Sequence, residues 1–463
     1  MNTRIQFDAD LIRRYDTTGP RYTSYPTAVS FHEGFTARDL ADCARGSNEE
    51  VIPKPLSLYV HIPFCDTVCF YCGCNKVVTR DHGRVAPYLD HLQQEARLLR
   101  PLFDTDRRVE QLHWGGGTPT FLNEEEIRSL MAFLRGQFNL RDDDEGDYAL
   151  ELDPRKITPD TVALLREVGF NRVSIGVQDF DPAVQEAVNR IQPEAQTRAI
   201  YEAARRQGFR SINFDLIYGL PRQTPASFAA TVDKVLALRP DRVAVFNYAH
   251  LPHMFKPQRR IDEAELPSPA QKLEILQDTI ERLTAGGYVY IGMDHFALPD
   301  DSLAVAQREG SLYRNFQGFS PHAECDLVAM GISAISRVGD CYAQNVRTLD
   351  EYYARLDAGQ LPVARGIRLT ADDIIRRDVI NEIICHGRLD IAPLEKRYGL
   401  DFAEYFATEW QALAPMEQDG LLERSEAGLV VTPVGRLLVR NIAMVFDRYL
   451  DRHQAGQRFS RVI

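Results

Sequence analysis

SLYVHIPFCDTVCFYCGCNK, residues 57–76, joins two signals that between them decide the fold. Its opening SLYVHIP is a short apolar run rich in β-formers and closed by proline, the pattern of a buried strand. The ten residues from Cys65 then hold four of the chain's eight cysteines, while Cys43, Cys325, Cys341 and Cys385 are scattered singly. A C-x-x-C pair alone serves zinc sites, thiol redox centres and iron–sulfur clusters alike. Zinc sites usually pair two such hooks at a distance, and no second hook follows. A disulfide oxidoreductase wants its pair at the start of a helix in a much smaller fold. The stretch offers Cys65-x3-Cys69-x2-Cys72 directly after a strand, with Cys74 left over. A cubane held by three thiolates leaves one iron open to another ligand, which gives the spacing a use.

Outward from this stretch one pattern recurs to about residue 250. The β-rich runs SLYVHIP (57–63), VEQLHWGGG (109–117), YALELDP (148–154), RVSIGVQ (172–178), SINFDLIYGLP (211–221) and RVAVFNYAH (242–250) alternate with segments of helical period such as EEIRSLMAFLRGQF and PASFAATVDKVLAL. Strand–helix repeats of roughly 30 residues predict a parallel sheet with helical crossovers, either an open doubly wound sheet or a barrel. Each run ends in unusual residues: His61, Gly115 to Gly117, Glu151 with Asp153, Gln178, Asp215, then Asn247 and Tyr248. Polar groups gathered at the carboxyl ends of parallel strands are where barrel enzymes keep their chemistry.

At 463 residues the chain is about three typical domains long, and with 44% hydrophobic and 26% charged residues it reads as an ordinary soluble globular protein. No run approaches the ~18 apolar residues that span a bilayer. The start, MNTRIQFDADLIRRYD, has no apolar core, so the expectation is no signal peptide and a reducing, cytoplasmic setting. The net charge of −12 argues against a general nucleic-acid binder, yet it leaves room for a local basic pocket that takes an anionic small molecule. Residues 1–55 read as a mostly helical arm carrying GPRYTSYPTA (19–28), and residues 365–463 as a helical domain in which GLLERSEAGLVVTPVGRLL resembles a helix and a small wing. The acidic RDDDEGD (141–147) reads as a solvated turn.

C-x3-C-x2-C after the first strand with glycines closing the second resembles the radical S-adenosylmethionine superfamily. HIPFCDTVCFYCGCNKVVTR, HWGGGTPTFL, ELDPR, SIGVQDF, NFDLIYGLP and GPRYTSYPTA together resemble the oxygen-independent coproporphyrinogen III oxidases, from about residue 10 to the closing FSRVI. That resemblance implies an α/β fold: a partial, open (β/α)6 TIM-like barrel over 56–364 with its following extension, an amino-terminal arm over 1–55 that contributes to the substrate site, and a mostly helical domain over 365–463. It implies an oxidoreductase that decarboxylates two propionates of coproporphyrinogen III to vinyl groups without oxygen, giving protoporphyrinogen IX in haem biosynthesis. The implied cofactors are a [4Fe-4S] cluster and two molecules of S-adenosylmethionine, and the implied partners are the porphyrinogen, a reductant and an electron acceptor. A monomer is expected, with no nucleic acid and no membrane insertion.

By the same resemblance Cys65, Cys69 and Cys72 hold the cluster and act through it, and Cys74 does not. Tyr59, Tyr71, Gly116, Gly117, Thr118, Glu151 and Ile335 surround the first S-adenosylmethionine; Gln178, Arg190, Asp215 and Ala249 surround the second; Arg21, the lone cation of GPRYTSYP, and Gln317 meet the substrate, with the rings of Tyr22 and Tyr25 placed to pack on pyrrole faces. Each has an ordinary rival role: a tight turn for the glycines, core for the tyrosines and Ile335, a solvated surface for Arg190. Glu151 lies on an apolar strand, where an unpaired charge is costly. His61, His113 and His250, scattered singly, read as structural. A haem-binding relative that shares the barrel is the main rival, and Cys74 with the PRYTSYP arm favours the oxidase. A zinc- or cluster-dependent nucleic-acid binder using the wing lacks a basic face.

Overall fold

The computed structural model describes residues 5–450, so the first four residues and the closing FSRVI lie outside it. By contact the chain forms two compact units: one of Phe31–Thr279 and Glu324–Arg368, the other of Met1–Ser30, Ile280–Ala323 and Leu369–Ile463.

The larger unit is built on the strand–helix repeat. Its parallel strands are β1 (Leu56–Ile62), β2 (Arg108–Gly116), β3 (Asp147–Leu152), β4 (Arg172–Gln178), β5 (Ser211–Tyr218) and β6 (Arg242–Asn247). Each pairs with the next in sequence, so every crossover steps the same way, and the strand order never reverses as it would in a doubly wound sheet. This is the curl of a barrel. It stays open, because the second neighbour of β1 is not β6 but the parallel β7 (Asp326–Met330). From β7 the sheet continues antiparallel through β8 (Ile335–Val338), β9 (Cys341–Asn345) and β10 (Val363–Arg368). The partial (β/α)6 barrel matches expectation, whereas β7 to β10 went unforeseen: DLVAM is buried at all five positions and so has no period to read.

The crossover helices start where the sequence satisfies their first amides. Before Glu124–Gln137, the Asn123 side chain accepts from the Glu126 amide at 2.9 Å, while Glu126 accepts from the Asn123 amide at 2.8 Å. The helix then buries Ile127, Leu130, Met131 and Leu134 on one face.

Residues 31–55 pack with this unit. Asn48, at the end of helix Ala37–Asn48, donates to the Leu102 carbonyl at 3.0 Å. Ser47 hydrogen-bonds Asp326 at the start of β7, whose buried carboxylate also takes Arg107 at 2.6 Å. Cutting the chain at 55 followed composition, whereas contact joins 31–55 to the barrel and 280–323 to the other unit.

Residues 141–147 form a loop that exposes Asp142, Asp143 and Glu145, as a solvated turn does, and whose acids are also bound by arginines. Asp144, at φ +61°, accepts both terminal nitrogens of Arg166 at 3.0 and 2.6 Å, and Arg141 holds Glu110, Asp143 and Glu145. A cavity of about 470 Å³ beside this loop, lined by Arg135, Tyr148 and Asn171 among others, lies at the amino ends of β3 and β4.

In the smaller unit, helix Ala371–His386 buries Ile375, Val379, Ile380 and Ile383. Strands Arg388–Asp390, Gly428–Val431 and Leu422–Ser425 form the expected small wing. Phe406 and Phe446 fill the core between them.

Candidate active site

Two glycines let the end of β2 lie against the chain that leads into the cysteines. Gly116 has φ +116°, and a Cβ there would stand 2.7 Å from the His61 ring. A Cβ at Gly117 would stand 2.5 Å from the Pro63 carbonyl oxygen and 2.8 Å from that of Phe64. Only glycine permits so close an approach. It allows the amide of Gly117 to donate to Ile62 at 2.8 Å and that of Thr118 to Phe64 at 2.9 Å. The Thr118 hydroxyl then lies 3.4 Å from the Cys65 sulfur. Burial pushes the Cys65 thiol up to about 11, Thr118 opposing, with Cys72 and Cys69 near enough to add to the rise.

Two guanidinium groups converge on the next sulfur. Arg190 Nη1 lies 3.5 Å and Arg155 Nη2 3.6 Å from Cys69 Sγ. Arg190 is no solvated arginine: its side chain is 8% exposed, ion-pairs with Asp153 at 3.2 Å and donates to the Gly176 carbonyl at 2.7 Å. Burial works against the Asp153 charge, but Arg190 and Arg155 outweigh it and draw its carboxyl down to about 2. Two cations against one carboxylate leave excess positive charge beside Cys69, which suits an anionic sulfur ligand. Burial raises the Tyr71 hydroxyl well above its ordinary value, with Arg190 opposing.

The remaining candidates of this unit lie along the strand ends. Tyr59 on β1 stacks on His113 of β2 with ring centroids 5.9 Å apart, and its hydroxyl is 3.1 Å from His61. His61 also meets the Asn75 carbonyl at 3.0 Å, and His250 meets Tyr248 and Glu263 at 2.7 and 3.0 Å. Glu151 on β3 is not an isolated buried charge: it accepts from His113 and from the Gly116 amide, each at 3.3 Å, and remains 46% exposed. Gln178 ends β4 at φ +65° beside a bulge, strain of the kind that clusters at functional sites. Asp215 on β5 accepts from Ser174 at 2.6 Å and Asn213 at 2.8 Å. Ala249 follows β6, and Ile335 opens β8. Arg190 Nε and Asn247 Oδ1 are buried without a hydrogen-bond partner, polar atoms poised for a ligand.

Burial pushes the Asp215 carboxyl up to about 6, its hydrogen bonds to Ser174 and Asn213 opposing and nearby Glu151 adding. With its folded value raised, Asp215 binds its proton more tightly folded than unfolded, so its effect on stability is lost as pH rises from about 4 through about 6. Two units correspond to ~3 kcal/mol. The melting temperature of the cofactor-free chain should therefore fall between about pH 4 and 6, and Asp215→Asn should flatten that slope; an unchanged slope would reassign it to other groups.

The smaller unit holds Arg21 and Gln317. Arg21 ion-pairs with Asp294 at 3.3 Å. It is not the lone cation there. Arg314 Nε donates to the Arg21 carbonyl at 3.2 Å, and Arg440 donates to the carbonyls of Pro20 and Gly19 at 3.0 and 2.6 Å. Arg314 is buried against the Phe319 ring, and its Nη1 has no partner. Burial draws both guanidinium values down to about 10, with Asp294 opposing and Arg21 deepening the fall. Gln317 sits at the tip of the hairpin Tyr313–Ser320, which also carries Arg314. Tyr22 and Tyr25, flanking residues that looked able to cover a ring ligand, are instead core: the Tyr22 hydroxyl donates to Asp447 at 3.0 Å and that of Tyr25 accepts from the Arg448 amide at 3.2 Å.

Three convergent thiols, a glycine cradle beside them and cationic donors at one sulfur fit an iron–sulfur cluster and a ligand lying over it. The description Radical SAM superfamily matches residues 59–235 and HemN C-terminal domain matches 369–438. The chain is 57% identical to the oxygen-independent coproporphyrinogen III oxidase of Pseudomonas aeruginosa and 54% identical to that of Escherichia coli, in each case over 99% of both chains. The chain belongs to the oxygen-independent coproporphyrinogen III oxidases. Its fold superposes on the solved structure of coproporphyrinogen III oxidase (HemN) from Escherichia coli, a radical SAM enzyme, with a TM-score of 0.92 at 52% identity, covering 96% of this chain and all of that one.

Within an oxygen-independent coproporphyrinogen III oxidase of this build, the structure brings Cys65, Cys69, Tyr71, Thr118 and Arg190 into one neighbourhood, and Tyr59, Gly116, Glu151 and Asp215 into the next. Sequence reading passed over Arg155, whose one signal was its place after Asp-Pro in ELDPR. Asp294, Arg314 and Arg440 carried no local signal, because they join Arg21 from distant parts of the chain. Among the described residues no helix is long and apolar enough to cross a membrane.

Proposed function

We propose that this chain converts coproporphyrinogen III to protoporphyrinogen IX by oxidative decarboxylation of two propionates, without oxygen, as an S-adenosylmethionine-dependent iron–sulfur oxidoreductase. The observation that carries the reading is Cys65 lying 3.4 Å from Thr118 beside the close approach at Gly116 and Gly117, with Cys69 and Cys72 near it, in a chain that matches named oxidases over 99% of its length. Cys65, Cys69 and Cys72 hold the cluster. Tyr59, Tyr71, Gly116, Gly117, Thr118, Glu151 and Ile335 hold one S-adenosylmethionine, and Gln178, Arg190, Asp215 and Ala249 a second. Bound together, cluster and S-adenosylmethionine supply one-electron radical chemistry that needs no oxygen.

The protein's own part is to position groups and exclude water. Arg155 and Arg190 place positive charge at Cys69. Glu151, fixed by His113 and the Gly116 amide, and Asp215, fixed by Ser174 and Asn213, present acceptors to hydroxyl or ammonium groups. Arg21, on the amino-terminal arm, and Gln317 bind substrate carboxylate, with Arg314 supplying a second guanidinium. A reductant and an electron acceptor complete the balance. The test is anaerobic reconstitution, with the product from coproporphyrinogen III read by chromatography and haem run in parallel. Protoporphyrinogen IX should form, with two CO2 per molecule; haem binding without product would refute the oxidase. Binding of S-adenosylmethionine to the cluster-loaded chain should saturate near two equivalents, and clean saturation at one would remove the second site.

A further inference from the structure

The loop that carries the cysteines is rimmed by exposed apolar side chains and unpaired cations. Val78 is 47% exposed and its strand pairs with Cys65 at the register Cys65–Val78. Ile191 is 67% exposed and follows Arg190, which touches the Cys69 sulfur. Met254 is 54% exposed and precedes Phe255, whose ring stands 3.1 Å from where a Cβ on Gly73 would lie. Seven large apolar side chains are exposed among the described residues, and these three all border the one loop. Arg80 follows Val78 by two residues, and Lys256, Arg259 and Arg260 follow Met254 within six, all four exposed, with Asp81, Asp262 and Glu263 the exposed acids next to them in the chain. Among the described residues none of the four has a carboxylate within ion-pair distance, whereas nearby Lys156 is matched to Asp66 at 2.5 Å. The segment 253–260 is tied to the loop by Gln258, which donates to the Tyr71 carbonyl at 2.9 Å, and by Arg260 over the Phe70 ring at 5.3 Å. A chain of net charge −12 thus turns a basic, partly apolar face outward over its cysteine loop.

We propose that this face docks a small acidic one-electron carrier protein, which delivers the electron the reaction consumes. The proposal rests on the cluster assigned above. An acidic carrier is repelled by the chain as a whole and steered to this one face, and Val78, Ile191 and Met254 supply the dry contact that holds it there. The transfer is one electron from the carrier to the oxidised cluster, with no bond made or broken.

The test compares reconstituted wild type with Arg80→Glu/Lys256→Glu/Arg259→Glu, using flavodoxin hydroquinone as carrier and dithionite as a small reductant. In wild type, cluster reduction by flavodoxin should slow steeply as salt rises. The triple variant should be reduced by flavodoxin about 10- to 100-fold more slowly at low salt, with a flattened salt dependence. Its reduction by dithionite should stay as in wild type. Binding of oxidised flavodoxin, followed by flavin fluorescence, should weaken in parallel and can be read on the cluster-free chain as well. A salt-independent wild-type rate, unchanged binding, or equal losses with both reductants would overturn the docking face. A wild-type chain that holds no dithionite-reducible cluster would instead overturn the cofactor reading, and the binding assay would still decide the face.

Discussion

Cys65→Ala, Cys69→Ala and Cys72→Ala each emerge from anaerobic reconstitution without iron or colour and without product, whereas Cys74→Ser keeps both iron and colour. Loss of any one of the three should lower turnover by about 10³-fold or more, the scale of removing one member of a catalytic unit. Four thiolates would saturate the cubane, as in an electron-transfer ferredoxin, and leave no iron for S-adenosylmethionine. The surroundings of the four sulfurs separate them. Cys65 faces Thr118 and Cys69 faces two arginines, while Cys72 and Cys74 hydrogen-bond each other, so it is between these two that the variants decide. Iron content by chemical assay and the cluster absorption band read the outcome. A Cys74→Ser chain that cannot hold the cluster would sink the assignment.

Arg21→Ala should weaken binding of the four-carboxylate substrate by about 1.5 to 3.5 decades, about 2–5 kcal/mol, while the cluster assembles normally. Arg314→Gln should do the same, because its Nη1 is buried without a partner and a desolvated guanidinium binds carboxylate strongly. Lysine should rescue either position poorly, since it lacks the planar fork. If the Arg21–Asp294 pair were only a surface bridge, its loss would cost ~0–1 kcal/mol and leave turnover intact. Asp294 decides between these readings. It is the acid paired with Arg21, so Asp294→Asn should hold or tighten substrate binding while Arg21→Ala loses it if the arginines are a carboxylate site, and the two variants should behave alike if the pair is structural. Titrating fluorescent coproporphyrin III into the three variants, with its tetramethyl ester as a neutral control, checks both. Arg21→Ala with wild-type affinity and product formation would make the arm's arginine structural.

The barrel was legible because its signals are local. Six strands repeat with crossover helices, and the glycines and carboxylates at their ends sit within a residue or two of the strand they close. The cysteine spacing likewise lies within one loop. What escaped needs the folded chain. Asp326 opens a strand that inserts beside β1, and nothing in DLVAM announces a partner some 270 residues earlier in sequence. Arg314 and Arg440 reach the carbonyls of residues 19–21 across nearly the whole chain, so the arm read as holding one cation where the fold gathers three. Tyr22 and Tyr25 failed in the opposite sense, since a motif dense in aromatics looked like a binding surface and proved to be core.

The smaller unit draws on three stretches, of which the first carries Arg21 and the last begins at Leu369. During synthesis the barrel has all its strands once Arg368 has emerged, while the arm made first must wait for the chain made last. The order of manufacture therefore places the cysteine loop in a finished fold before the arginines proposed to bind carboxylate are assembled. A chain stopped short of its final stretch would retain every proposed cluster ligand and lose the core into which Tyr22 and Tyr25 pack.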